Sequence, residues 1–210
     1  MLRDLTDGHR TIRKWFTARR LRRRFRKTEA FAIEALPEDT FGRISGAAQP
    51  FETTLSAPIS GRPCVYWVIE IVEDIGEDWP SSLILAQHGG VPFVVTQDGH
   101  RAVVDPKDSI TSLTFDHEDS SHGIGYVDRA HEAVLKTYLA HRDFKHTVAL
   151  HYREAVIEIG EAVSVLGSGT REPDPDAPPT AAYRDGSRTR LRLTSSKQHP
   201  LCITDDPRIL

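Results

Sequence analysis

The segment Ala57–Val72, which reads APISGRPCVYWVIEIV, constrains the fold of this chain more than any other. It opens with a turn rich in Pro, Ser and Gly and continues from Cys64 as an almost unbroken apolar and aromatic run. A strand with one solvated face alternates apolar and polar residues, whereas a strand covered on both faces does not. The segment therefore predicts the central strand of a β-rich core.

Most of the sequence after Phe41 consists of short apolar segments separated by turn residues, a pattern typical of all-β domains. The Asp98–Gly99 pair favours a tight hairpin, so the strands on either side of it are expected to pair antiparallel. The strands predicted in this way are Phe41–Ala47, Phe51–Leu55, Cys64–Val72, Ser82–Ala86, Pro92–Thr96, Arg101–Val104, Tyr152–Ile159, Ala162–Leu166, Arg188–Thr194 and Leu201–Thr204.

Two helices are predicted among these strands. One covers His9–Leu36, with Pro37 as its stop, and the other covers Arg129–Phe144 after an N-cap at Asp128. Loops are predicted at 73–81, 116–125 and 167–179, where polar residues, Pro or Gly accumulate.

The predicted fold class is mainly β (α+β). We expect an incomplete antiparallel barrel, OB-like in one version, which the strand Gly160–Gly167 closes. The predicted division of the chain is a basic helical arm at residues 1–40 and a β-rich domain at residues 41–210.

The net charge of −3 conceals a strong asymmetry. The segment Arg10–Lys27 carries ten Lys or Arg residues and no acidic residue, which leaves 17 basic against 30 acidic residues elsewhere, a net charge of −13. A cationic arm is thus attached to an acidic body. Such an arm points to an anionic partner or to the body itself.

Three interpretations of the basic helix compete. Its aromatic side chains can pack on the body while the arginines face water; they can enter a membrane surface while the arginines meet anionic headgroups; or the same side chains can meet nucleic-acid phosphates and bases. The candidate membrane or polyanion contacts are Arg13, Lys14, Trp15, Phe16, Arg19, Arg20, Arg22, Arg23, Arg24, Phe25, Arg26 and Lys27.

The sequence contains no catalytic constellation. It has neither a Gly-x-Ser-x-Gly elbow nor a phosphate-binding P-loop. The acidic and histidine residues between Asp116 and His122 lack the spacing of a zinc site, and Cys64 and Cys202 are expected to be buried free thiols. We therefore predict a non-enzymatic protein without a metal or cofactor, for which a small-molecule substrate is not expected.

Eight short motifs occur in order between Phe41 and Asp206. They are Gly42-x-x-Ser45-Gly46, Pro58-x-Ser60-Gly61-Arg62-Pro63-Cys64-Val65-Tyr66, Val91-Pro92-Phe93, Asp98-Gly99, Val104-Asp105-Pro106, Tyr152-x-Glu154, Ile159–Gly167 and Pro200-Leu201-x-Ile203-Thr204. Together they resemble the GIDE domain, also called BAM ("beside a membrane"), which occurs in mitochondrial ubiquitin-protein ligases and in bacterial and plant proteins.

The resemblance implies a binding or adaptor module at or near a cytoplasmic membrane surface, with the basic helix in the place of a relative's membrane helix. Its expected partner is an anionic membrane surface or a protein, and an OB-like nucleic-acid-binding protein is the alternative. The ligases carry a RING domain rich in Cys and His, whereas this chain has two cysteines, so ligase activity is not carried over. A ubiquitin-ligase relationship would therefore be one of family only.

The expected location is cytoplasmic, with peripheral attachment to the inner membrane. No apolar run approaches the ~20 residues that a membrane-spanning helix needs. The beginning of the sequence is Arg-rich where a signal peptide would be apolar.

Overall fold

The computed structural model describes residues 10–74, 82–122, 132, 134, 137, 149–176, 189–196 and 198–210. Its elements are helix α1 (Arg10–Lys27) and strands β1 (Gly42–Pro50), β2 (Leu55–Ser56), β3 (Pro63–Asp74), β4 (Ser82–Gly90), β5 (Phe93–Gln97), β6 (His100–Val104), β7 (Ile110–Ser112), β8 (His117–His122), β9 (Ala149–Glu158), β10 (Ala162–Pro173), β11 (Thr189–Thr194) and β12 (Cys202–Thr204). The predicted mainly β fold is confirmed.

Five strands of the larger sheet pair in a circuit, in the order β1, β5, β6, β11, β10 and back to β1. Every pairing in this circuit is antiparallel except that of β6 with β11, which is parallel. Numbered along the chain, the order is 1-2-3-5-4, the Greek-key arrangement of an OB-type barrel. The second sheet lies outside this circuit. Taken together, the curled sheets form an incomplete barrel, as predicted.

The predicted closing strand does close the circuit. The first half of β10 pairs with β1 from Ala162 opposite Ala47 to Gly167 opposite Gly42. Its other edge pairs with β12 and then with β11, and β12 continues to β7 through a parallel pairing that the sequence did not predict. Strand β10 therefore pairs with β1 along one edge and with β12 and β11 along the other.

Strand β3 is the centre of the second sheet, as the opening segment of the sequence analysis predicts. It pairs with β9 on one side and with β2 and β4 on the other. Its side chains Val65, Ile69 and Ile71 are completely buried, and Tyr66 is nearly so. Covering on both faces accounts for the missing polar alternation in this strand.

The turn before β3 is held by a buried carboxylate. Glu154 on β9 is fully buried and accepts hydrogen bonds from the backbone N–H groups of Ile59 at 2.8 Å and Ser60 at 3.0 Å. Arg62 completes the turn through ion pairs with Asp116 and Glu158. The Pro58–Tyr66 and Tyr152-x-Glu154 motifs thus meet in space and have structural roles here.

The predicted hairpin at Asp98–Gly99 is confirmed. Strands β5 and β6 pair antiparallel from Phe93 opposite Val104 to Gln97 opposite His100. Asp98 has φ 50° and Gly99 has φ 82°, the two consecutive left-handed residues that a type I′ turn requires.

The predicted helix is too long, because α1 ends at Lys27 and not at Leu36. The backbone N–H and the hydroxyl of Thr28 both donate to the carbonyl of Arg24, and Ala30 then forms a parallel bridge with Arg43. Local sequence favours continued helix, but burial of apolar side chains in the segment after Thr28 outweighs that preference.

The segment that replaces the second half of the predicted helix packs into the main core. Ile33 and Leu36 are 1% exposed, and they lie among side chains of both sheets. The guanidinium of Arg171 donates to the carbonyls of Ile33, Glu34 and Leu36 at 2.7–3.2 Å. These bonds satisfy backbone carbonyl groups that have no partner in a helix or a sheet.

Two predicted loops are strands. Residues 117–122 form β8, an edge strand in which the exposed residues Glu118, Asp119 and Ser120 need no apolar face. Residues 167–173 belong to β10, where the glycines permit a close approach of β11: a Cβ on Gly169 would collide with the carbonyl of Arg192. Conversely, most of the predicted strand Phe51–Leu55 is irregular, and the first residues of the predicted loop 73–81 extend β3.

The second predicted helix, Arg129–Phe144, lies largely outside the described residues. Glu132, Val134 and Thr137 are described, and all three are helical. Val134 is 3% exposed and packs with Ile69, Ile71 and Tyr152 of the second sheet.

Helix α1 is anchored to the barrel by its C-terminal half. Leu21 is 5% exposed and Phe25 is fully buried, and both pack against Leu166 of β10, Cys202 of β12 and Ile209. The spacing of four residues places both side chains on one face of the helix. This face fixes the rotation of α1 about its own axis.

Replacing Phe25 with alanine should lower the unfolding free energy by about 3–5 kcal/mol, because the substitution leaves a cavity between α1 and β10. Urea unfolding of the full chain measures this effect. The matched control is Arg26→Ala on the exposed side of α1, for which a change within about 0.5 kcal/mol is expected. Equal effects of both substitutions would show that α1 is not anchored through Phe25.

Candidate polyanion-binding surface

The anchoring of α1 leaves its charged side chains on the remaining faces of the helix. Arg19, Arg20, Arg23, Arg26 and Lys27 are all exposed. A helix whose apolar face is buried on a body must direct its other faces toward solvent or a ligand. The basic residues that make the charge of the sequence asymmetric thus form an exposed cationic surface on α1.

Six of the exposed or partly exposed cations line one depression, with a volume of about 280 Å³. Five come from the last three turns of α1 and the sixth comes from the C-terminal segment of the described chain. They are Arg19, Arg22, Arg23, Arg26, Lys27 and Arg208. We call this depression the arginine groove.

A single carboxylate joins the two sides of the arginine groove. Asp206 is 4% exposed; its carboxylate lies 2.7 Å from Nε of Arg22 and accepts hydrogen bonds from Nε of Arg208 at 2.8 Å and Nη2 at 3.1 Å. These bonds from Arg208, together with the charge of Arg22, hold the pKa of Asp206 below its usual value. Asp206 is therefore ionised near neutral pH, orients the guanidinium of Arg208 through hydrogen bonds and attracts that of Arg22 through its charge.

Three further cations of the groove lack such compensation. Arg23, Arg26 and Lys27 form no ion pair with any residue that the structure describes. Their spacing of three or four residues brings like charges together on the helix surface, which is unfavourable. The negative end of the helix dipole offsets part of this cost. An anion in the groove would offset more of it, since it would face several cations at once.

The remaining predicted contact residues fall into three groups. Arg13, Lys14, Trp15 and Phe16 lie in α1, but their side chains are outside the described part of the structure. Arg20 is exposed and does not line the groove. Arg24 turns toward the body, where its guanidinium stacks over Phe41 at 4.7 Å and donates to Sγ of Cys202.

Phe25 is a correction to the predicted contact surface. It is fully buried between α1 and the barrel and cannot insert into a lipid surface from that position. The helical period separates it from the arginines around it: Phe25 shares the face of Leu21, whereas its neighbours point elsewhere.

Sequence reasoning missed Arg208 and the role of Asp206. Both lie about 180 residues from α1 along the chain, and no local pattern connects the two segments. The only signal was the polar cluster Asp205–Arg208 after an apolar strand, which resembles an ordinary turn. Only the pairing of β12 with β10, beside the anchored helix, brings them together.

A second cluster of arginines, on the barrel, is neutralised by acidic partners. Arg190 and Arg192 on β11 pair with Glu172, and both guanidiniums lie over the ring of Phe51 at 5.0 and 5.7 Å. Arg101 pairs with Asp174 at 2.9 Å. The arginine side chains of β11 thus belong to an ion-pair network, in which Arg190 is only 7% exposed.

The two cysteines are free and buried, as predicted. Burial raises the pKa of Cys64 to about 11 and also raises the pKa of Cys202. A thiol with a raised pKa is a poor nucleophile at neutral pH. Within the described ranges of the chain, no group of three or more His, Cys, Asp or Glu residues could hold a metal ion.

No protein-family model, curated protein or solved structure matches this chain. The resemblance to the GIDE domain therefore rests on the sequence motifs. Among the helical residues that the structure describes, none form a helix with both the length and the apolarity needed to cross a membrane.

The neighbour of Asp206 provides a test of the electrostatics beside the groove. Burial raises the pKa of Asp205 to about 6 from 3.8, although the N–H and hydroxyl of Thr114 donate to its carboxylate. The folded state therefore binds the proton more tightly than the unfolded state. Consequently, this group should lower the unfolding free energy by about 3 kcal/mol as the pH rises from below 4 to above 6.

The variant Asp205→Asn should lack this contribution, because an amide does not titrate. The difference in unfolding free energy between the variant and the native chain, measured by urea unfolding from pH 4 to pH 7.5, should shift in favour of the variant as the pH rises. A constant difference over this range would contradict the raised pKa.

Proposed function

We propose that this protein is a non-catalytic, GIDE-like adaptor module that acts at an anionic cytoplasmic membrane surface through α1. The observation that carries the proposal is the arginine groove: six cations, of which Arg23, Arg26 and Lys27 have no ion-pair partner among the described residues, line one accessible surface. If α1 served only to stabilise the barrel, its buried apolar face would be sufficient, and the exposed cations would have no role.

The magnitudes favour membrane attachment. A basic residue near an anionic lipid surface contributes about 1 kcal/mol, so several groove cations together supply a useful binding free energy. The rest of the chain, with its net charge of −13, is repelled by the same surface. This opposition would orient the molecule with α1 toward the lipid and the β core away from it, free to bind a protein partner.

The resemblance to the GIDE domain supports the same location, because it implies a module beside a membrane. It also leaves a ubiquitin-ligase relationship as one of family only. The motif residues that the structure describes, such as Glu154 and Asp98, hold turns and strand pairs in place. They support the fold of the adaptor, and binding falls to surface groups outside the motifs.

Nucleic-acid binding is the second candidate, favoured by the OB-type strand order of the barrel. Such proteins combine exposed basic and stacking aromatic side chains. On this barrel, however, the arginines around Phe51 are engaged by Glu172 and Asp174. Nucleic acid would thus have to use the arginine groove, and its binding constant would fall linearly with salt on a logarithmic plot.

Cosedimentation of the full chain with vesicles tests the proposed function. Vesicles of equal parts phosphatidylglycerol and phosphatidylcholine should retain the protein at low salt, and vesicles of phosphatidylcholine alone should not. The double variant Arg23→Gln/Arg26→Gln should bind about 30-fold more weakly, since it removes two surface cations.

The control variant is Lys107→Gln, which removes an exposed cation from the loop after β6. Its binding should change less than about twofold. Retention that is independent of lipid charge, or an unchanged affinity of the double variant, would contradict the proposal. Binding to single-stranded DNA with no retention by either vesicle would favour the second candidate.

A further inference from the structure

We propose that the arginine groove recognises the terminal phosphate of a phosphate monoester, and that this headgroup is the ligand through which the module meets a membrane. The inference rests on the proposed function and gives it a specific chemistry. A diffuse charged surface would bind any anionic lipid, whereas a built groove discriminates between headgroups.

The groove is assembled from two segments that are distant along the chain. Five of its cations lie on α1, and Arg208 reaches it from the other end of the sequence. A helix alone presents its charges as a convex surface. The sixth cation, placed opposite the helix by the β12–β10 pairing, encloses a depression in which one anion can contact both sides.

One buried carboxylate contacts two guanidinium groups of the groove. Asp206 is nearly buried, accepts hydrogen bonds from Nε and Nη2 of Arg208, and forms an ion pair with Nε of Arg22 at 2.7 Å. For Arg22 this leaves the two terminal Nη groups free of the carboxylate, and for Arg208 it leaves Nη1. Arg22 can therefore donate paired hydrogen bonds to phosphate oxygens through its two Nη groups, and Arg208 can donate through Nη1.

The groove also suits a phosphate monoester in charge and size. Arg22, Arg23, Arg26, Lys27 and Arg208 face the single carboxylate of Asp206, which leaves an excess of four positive charges even without Arg19. A phosphate monoester carries about −1.5 to −2 at pH 7 and has three terminal oxygens, whereas a phosphodiester carries one negative charge. The volume of about 280 Å³ suits a single headgroup, because it lies just below the range for drug-sized ligands.

The chain provides a matched control in Arg20. Arg20 and Arg23 are both exposed arginines of α1, three residues apart, but only Arg23 lines the groove. Replacing either one with glutamine removes one charge from the same helix. A charged surface without a groove would respond equally to both substitutions.

The experiment compares two kinds of vesicle that are adjusted to equal surface charge. One contains phosphatidic acid, a monoester, in phosphatidylcholine, and the other contains phosphatidylglycerol, a diester, in phosphatidylcholine. The full chain should bind the monoester vesicle at least fivefold more tightly. Arg208→Gln and Arg23→Gln should each weaken monoester binding about tenfold and abolish the preference, the effect of losing one charge-assisted hydrogen bond.

Arg20→Gln should weaken binding to both vesicles by the same factor and preserve the preference. Soluble glycerol 3-phosphate, titrated into the full chain while the arginine Nε–H resonances are recorded, distinguishes a lipid-borne from a soluble ligand. Thermal unfolding of each variant checks that it is folded. Arg208 is exposed, so its replacement should be tolerated, and Arg23→Gln tests the groove independently of Arg208→Gln.

Equal binding to both vesicles, or equal effects of Arg20→Gln and Arg23→Gln, would overturn the monoester site and leave membrane attachment intact. Shifts of the Arg22 and Arg208 resonances by glycerol 3-phosphate without retention by either vesicle would support the site and overturn the membrane function. Absence of binding in every arm would overturn both.

Discussion

The burial of Leu21 and Phe25 against β10 and β12 is the interaction on which the surface of this protein depends. Two apolar side chains four residues apart fix the rotation of a helix that is otherwise crowded with cations. Without this anchor, the arginines of α1 would repel one another along a helix with no preferred orientation. With it, Arg19, Arg22, Arg23 and Arg26 line one groove, whereas Arg24 turns toward the body.

The same anchor explains why the end of the described chain matters to the helix. Ile209 belongs to the apolar cluster under α1, and this contact brings Asp206 and Arg208 beside the helix. A nearly buried carboxylate is tolerable there because its charge is met by two guanidiniums. The apolar contact of Ile209 therefore places this segment beside α1, and the charge of Asp206 then orients the guanidinium of Arg208.

The β elements with strong local signals could be predicted from the sequence. The apolar run of β3 and the Asp98–Gly99 hairpin are decided by side chains close together in the chain, and both were found where the sequence placed them. Strand β8 could not be recognised, because an edge strand with solvated side chains needs no apolar pattern. The end of α1 was missed since tertiary burial of Ile33 and Leu36 overrides their helical preference.

The candidate site was predictable only in part. The ten basic residues in one short segment predicted a cationic surface. The sequence did not indicate, however, that Arg23 lines the groove, that Arg20 lies outside it, or that Arg24 stacks on Phe41. Those distinctions depend on the rotation of α1. The contribution of Arg208 and Asp206 to the groove could not be predicted for a related reason. Their proximity to α1 results from strand pairing and not from local sequence.

The most direct test of the account is to locate the face of the protein that meets the lipid. Vesicles containing phosphatidic acid and a headgroup-attached nitroxide broaden the NMR signals of nearby side chains, so the arginine Nε–H resonances of the full chain report contact residue by residue. We predict strong broadening at Arg23 and Arg26 and none at Arg101 or Arg190. Broadening at Arg101 and Arg190, with Arg23 and Arg26 unaffected in the bound protein, would contradict the account.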